Sequence, residues 1–147
     1  MTRTFISVQH THRDVLMPRQ AHTHNVYTSS EYRAFDMPCD ALVTDDPCLI
    51  LGVHTRDCAA VCFGNDTKVA VAHVGWRGLC GGIVENVLSH FRGLPVIVRV
   101  GPFLHSFEIQ RDVCYEAIVA KFGERFFIEE NGGITFHFKD ALASLLP

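Results

Sequence analysis

The residues able to do chemistry crowd into one stretch, DCAAVCFGNDTKVAVAHVGWRG, running from Asp57 to Gly78. Cys58 and His73 stand at the outer ends of two apolar runs, Cys58–Phe63 and Lys68–His73, with Gly64-Asn65-Asp66 between them. Read as a β-hairpin, these runs bring their ends side by side, so a thiol and an imidazole meet at one edge of a sheet. Such a pair has three chemical uses: ligands of a zinc or copper ion, a nucleophile with its general base, or a buried thiol beside a hydrogen-bonded histidine. A third ligand decides for the metal. The candidates lie upstream in two similar stretches, Gln9-His10-Thr11-His12 and Gln20-Ala21-His22-Thr23-His24, where residues two apart share a face of an extended chain. Spacing alone leaves His10, His12, His22 and His24 open. Cys62, an even number of residues from Cys58 on the same strand, is a further candidate.

Directly after His73 comes Gly75-Trp76-Arg77-Gly78, at an expected strand-to-helix junction. Glycines there permit close backbone approach, and Arg77 can hold a phosphate through two parallel hydrogen bonds. In the alternative, the glycines serve only the turn, Trp76 packs inside and Arg77 pairs with an acid such as Asp57.

The elements that must position these groups read as α/β, a mixed sheet flanked by helices. Strands are expected at Phe5–Gln9, Ala41–Thr44, Cys48–Val53, Ala59–Phe63, Lys68–His73, Pro95–Val100 and Ile134–Phe138. Helices are expected at Gly78–Phe91, Arg111–Phe122 and Lys139–Leu145, the second stopped by Gly123. Ile83, Val87, Leu88 and Phe91 form an apolar stripe on the first helix, and Asn131-Gly132-Gly133 is a turn signal.

Three segments in this order, Cys39-Asp40-Ala41-Leu42-Val43-Thr44, Thr55-Arg56-Asp57-Cys58 and His73-Val74-Gly75-Trp76-Arg77-Gly78, resemble the motifs of the laccase-domain (YfiH-like) family, also called multicopper polyphenol oxidoreductase laccase proteins. Gln20-Ala21-His22-Thr23-His24-Asn25-Val26 resembles that family's Q-x-H-x-x-x-V segment, and Val100-Gly101-Pro102 with Phe107-Glu108-Ile109 resembles a later one; the likeness covers about residues 20 to 140. The resemblance implies a YfiH-like fold and a zinc centre made by His22, Cys58 and His73. It also implies purine nucleoside phosphorylase activity with adenosine deaminase and methylthioadenosine phosphorylase side activities, on a nucleoside and phosphate. A laccase-like copper oxidase is the older description of such proteins. Two nitrogens and one sulfur leave a tetrahedral ion one open position, as in catalytic zinc sites; multicopper chemistry needs more histidines than the nine present. On this reading Asp57 fixes the tautomer of a ligand histidine. Ala60 stands where the family has a proline, and Val74 where it has alanine. Relative to the usual member the chain is shortened at both ends. Sheet edges left exposed by that shortening lead us to expect a homodimer.

Composition sets outer limits. The chain has 147 residues, 48% of them hydrophobic and 20% charged, with a net charge of −3. We expect one domain over residues 1–147. No basic footprint points to nucleic acid or an anionic membrane. With no signal-like start and no apolar run of about 20 residues, a cytoplasmic protein is expected, and its six cysteines are expected as thiols. Two other function classes fit the same residues: a metal-free cysteine hydrolase with Cys58 as nucleophile and His73 as base, and a paralogue that binds metal without turnover.

Overall fold

Runs of small apolar residues build the centre of the molecule. The computed structural model describes residues 15–147; the strand expected at Phe5–Gln9, His10 and His12 lie outside them. The described chain opens with β1 (Val15–Leu16), β2 (Val26–Thr28), α1 (Ser29–Phe35), β3 (Ala41–Thr44) and β4 (Ile50–Leu51). It continues through β5 (Ala59–Gly64), β6 (Val69–Val74), α2 (Trp76–Gly81), α3 (Ile83–Ser89) and β7 (Ile97–Val100). Last come β8 (Phe107–Ile109), α4 (Val113–Phe122), β9 (Phe127–Glu130), β10 (Gly133–Phe136) and α5 (Phe138–Ala143). The fold is thus α/β with a mixed sheet, as expected.

The main sheet has five strands in the order β2-β3-β6-β5-β7; β2 and β3 are parallel and the other pairs antiparallel. A second sheet, β8-β10-β9, is antiparallel, and β1 pairs with β4 in a third. β3 and β6 carry an almost unbroken run of buried residues, the mark of strands covered on both faces. Against the sheet pack Leu79 of α2, Ile83, Val84 and Val87 of α3, Ile118 and Phe122 of α4, and Phe138 and Leu142 of α5, all in one core. At roughly 25 cal/mol per Å² of apolar surface removed from water, each such side chain contributes about 1.5–3 kcal/mol.

The expected hairpin forms. Asn65 Oδ1 accepts the N–H groups of Thr67 and Lys68, both at 3.0 Å, so one side chain closes the turn between β5 and β6. Other expectations are corrected. The helix placed over Gly78–Phe91 is two helices, because Gly82 adopts φ +93° and breaks the spiral between α2 and α3. The strand placed over Cys48–Val53 shrinks to Ile50–Leu51, since Asp46 folds Cys48 and Leu49 into a turn through its side chain and carbonyl. β1, β2, β8, β9 and α1 answer to no element expected from the sequence. α1 is set by its caps rather than by burial: Thr28 and Glu31 form a reciprocal capping box, and none of its residues is buried.

Candidate metal centre

The hairpin register places the first two candidate donors. Ala60 of β5 lies opposite His73 of β6. Cys58 is two residues before Ala60 and therefore on the same face, diagonal to His73. The Cys58 side of the hairpin is tied down by Leu104 N–H on Asp57 O and Gly101 N–H on Ala60 O, both 2.9 Å. His73 is buried at the end of a strand bonded on both flanks, and its own N–H donates to Asp40 O at 2.7 Å.

His22 arrives by a different route, on an irregular segment between β1 and β2. Its backbone sits at φ +55°, in the left-handed region that non-glycine residues seldom occupy. Side chains hold it there. Asp40 Oδ1 accepts the His22 N–H (3.1 Å), while Oδ2 accepts the N–H groups of Ala21 (3.2 Å) and Thr23 (2.7 Å) and the Thr23 hydroxyl (2.8 Å). Gln20 clamps this segment to the one leading into Cys58, accepting the His54 N–H at 2.7 Å and donating to the His54 carbonyl at 2.8 Å.

Two glycines make room. A Cβ at Gly75 would lie 3.0 Å from Cys58 Sγ and 3.5 Å from His22 Cδ2, and one at Gly81 would lie 2.6 Å from His24 Nδ1. The glycines after His73 therefore let the His22 segment lie on α2 and leave space between the donors.

The result is convergence: one donor atom each from His22, Cys58 and His73, all within 4.8 Å of one another. The two imidazoles meet edge to face with centroids 4.9 Å apart. A tetrahedral ion with bonds of about 2.0–2.3 Å holds its ligands a little under 4 Å apart, so this donor set fits a soft or borderline divalent metal with an open position. His73 Nδ1 is engaged with Asp40 Oδ1 at 2.8 Å, which leaves Nε2 as the nitrogen free to meet an ion.

Electrostatics follow from that buried pair. Burial alone would raise the Asp40 carboxyl, but the bonds from His73, Thr23 and Ala21 outweigh it and hold its pKa at about 2. The Asp40 carboxylate first, and the Cys58 thiol second, raise the metal-free His73 to about 9 against the effect of burial.

Other expected site residues are placed elsewhere. Asp57 is exposed, and the carboxylate that engages His73 is Asp40, one residue outside β3, in place of the expected Asp57. Sequence reasoning quoted Asp40 only as part of a motif. Its signal was an acid directly preceding a strand whose residues are all apolar or β-branched, where a charge must find buried donors. Arg77 is exposed with its guanidinium 4.4 Å from the Trp76 ring centroid, and among the described residues no carboxylate lies within 4.0 Å of it, so the expected alternative pairing with Asp57 does not form. Cys62 and His24 stand apart from the convergent group, Cys62 in register between Val71 of β6 and Arg99 of β7 and His24 lying over Gly81.

Comparison with known proteins identifies the family. Over 90 residues the chain is 38% identical to Purine nucleoside phosphorylase YfiH of Escherichia coli (strain K12), a match covering 56% of this chain and 37% of that one. It is 37% identical over 87 residues to Adenosine deaminase RL5 of an unknown prokaryotic organism, covering 52% and 33%. The chain thus spans little more than a third of the length of these relatives. A crystal structure of a Neisseria meningitidis protein superposes with a TM-score of 0.78 at 27% identity, covering 90% of this chain and 58% of that one. A Bacillus licheniformis protein shares the fold at 20% identity, with a TM-score of 0.74 and coverage of 91% and 60%. Among the described residues no helix is long and apolar enough to cross a membrane. The family model described as multi-copper polyphenol oxidoreductase laccase matches residues 2–146, and the chain belongs to that laccase-domain, YfiH-like family.

Proposed function

We propose that this chain carries the centre of a zinc-dependent purine nucleoside phosphorylase, with adenosine deamination as a second activity. The observation that carries the reading is the convergence of His22, Cys58 and His73 with a buried carboxylate behind one imidazole. The names of the Escherichia coli and unknown-prokaryote relatives support the substrate class.

His22, His73 through Nε2, and Cys58 as thiolate would hold the ion. Zinc in such a site supplies Lewis acidity and lowers the pKa of water. The remaining work falls to the chain. Asp40 keeps Nδ1 of His73 occupied, so the ring cannot turn away. Arg77, stacked on Trp76 and without a carboxylate partner among the described residues, presents two parallel N–H groups to inorganic phosphate. A phosphate oxygen then forms a bond to the anomeric carbon of the ribose while the glycosidic C–N bond breaks, and the base departs with the proton that the hydrogen phosphate gives up.

One centre with three protein ligands is what the described residues offer, whereas a laccase needs several copper sites, so the zinc reading is favoured over copper oxidation. Incubation of zinc-loaded protein with adenosine, inosine or methylthioadenosine plus phosphate should release free base and the ribose 1-phosphate product. Arg77→Ala should keep its zinc but need at least about tenfold more phosphate, the loss expected for a charge-assisted contact of roughly 1.5–3 kcal/mol. Absence of phosphorolysis with all three nucleosides would overturn the proposal.

A further inference from the structure

Two of the three donors are imidazoles brought from distant segments, and one side chain touches the segments of both. Asp40 Oδ1 receives His73 Nδ1 and the His22 N–H, and Oδ2 receives Ala21 N–H, Thr23 N–H and the Thr23 hydroxyl. The residue is fully buried, and these five donors meet the four or so lone-pair sites a carboxylate has. Through its main chain the same residue accepts from His73 N–H and donates to Asn25 O, so the strand end and the irregular segment are joined twice over.

We propose that Asp40 is the positioning residue of this centre: its carboxylate holds the His22 segment in its left-handed turn and aims the His73 ring, so both imidazoles stand ready before an ion arrives. The inference rests on the reading of the triad as a metal site. A neutral amide cannot replace the acid. Asparagine has one acceptor oxygen, and if this faces His73 and His22, its NH2 group confronts the donors of Ala21 and Thr23. If it is turned over, the NH2 confronts His73 instead. Either way one imidazole loses its seat, whereas Cys58, on the hairpin, makes no bond to Asp40.

The test compares Asp40→Asn and Thr23→Ala with the parent chain at pH 7. Zinc affinity from chelator competition should fall about 10–100-fold in Asp40→Asn, the usual effect of removing a carboxylate behind a ligand histidine. Thr23→Ala, which deletes one of the five donors, should lose a few-fold on the same scale. In the cobalt-loaded Asp40→Asn protein the ligand-field bands should change while the thiolate-to-cobalt band from Cys58 persists. In the metal-free parent the amides of Ala21, His22 and Thr23 should exchange slowly with solvent deuterium, and in Asp40→Asn rapidly. Zinc affinity within twofold of the parent in both variants, with only melting temperature lowered, would overturn the proposal by reducing Asp40 to a structural role. Equal amide exchange in parent and Asp40→Asn would overturn it as well. If the parent takes up no zinc while those amides lose protection only in Asp40→Asn, the metal reading fails and the hold of Asp40 on the His22 segment stands.

Discussion

His73 and His22 reach one point from opposite kinds of structure. His73 is the second-last residue of β6, bonded on one side to β3 and on the other to β5, and is 5% exposed. His22 is exposed on a stretch with no ladder, at φ +55°, kept in place by the carboxylate of Asp40 and the amide of Gln20. The histidine on the strand belongs to the core, so on the proposed reading function and stability are joined in it. The histidine on the irregular segment sits in a conformation that no packing need demands, and on the proposed reading its geometry serves the site alone.

Removing each histidine should separate these two roles most widely. His73→Ala leaves Asp40 buried without its main partner, and should lower unfolding free energy by about 2–3 kcal/mol, nearer to a lost buried hydrogen bond than to a lost ion pair because Asp40 keeps its donors from Ala21 to Thr23. His22→Gly relieves the left-handed backbone and should leave the metal-free protein unchanged or more stable by about 0.5–1 kcal/mol. Both should lose zinc. Urea titration of the metal-free proteins reads the difference, and equal destabilisation by the two substitutions would break the distinction.

Acidity offers a second contrast, this time between the metal-free and loaded states. His73 is raised in the folded protein from 6.5 to about 9, so the stability it gives is complete below pH 6.5 and is lost as pH rises through about 9. Asp40 is lowered from 3.8 to about 2, so its contribution is complete above pH 3.8 and is lost as pH falls through about 2. With chelator present, calorimetric melting temperature should therefore be highest between these limits and should decline from pH 6.5 to 9. With zinc present it should rise over the same interval, because ions bind imidazole and thiolate only after the protons leave. Parallel profiles with and without zinc would place His73 outside the centre.

The smallest effect is expected at Gln20, whose two bonds to His54 lie near solvent. Gln20→Ala should cost about 1 kcal/mol or less, lower zinc affinity a few-fold and leave the β5–β6 hairpin unaltered, checked by chelator competition and by amide exchange at Val61 and Val71.

The same division explains what was legible from sequence. β3 was read with its observed bounds and the β5–β6 hairpin nearly so, because Ala41-Leu42-Val43-Thr44 and the runs around Asn65 combine apolar pattern with turn chemistry. Cys58 and His73 could be paired from that hairpin alone. His22 could not, since a segment without periodicity gives no geometric reason to choose among four histidines; the motif likeness singled it out. Asp40 was missed as a functional group because its role depends on five donors from residues 17 to 33 positions away. The second sheet was equally obscure: β9 ends in Glu129-Glu130, poor strand formers whose place is set by pairing with β10. α2 and α3 merged in the sequence reading because the apolar stripe from Ile83 to Phe91 lies wholly beyond Gly82, and nothing in it records the single left-handed residue that precedes it.

The central claim is that His22, Cys58 and His73 form one metal site, and elemental analysis of the purified protein beside Cys58→Ala tests it most directly. The account predicts about one zinc per chain in the parent and nearly none in the variant, with both folded. Parent protein free of metal after growth in zinc-replete medium, with Cys58 rapidly alkylated by iodoacetamide, would contradict it and point to a cysteine nucleophile with His73 as its base.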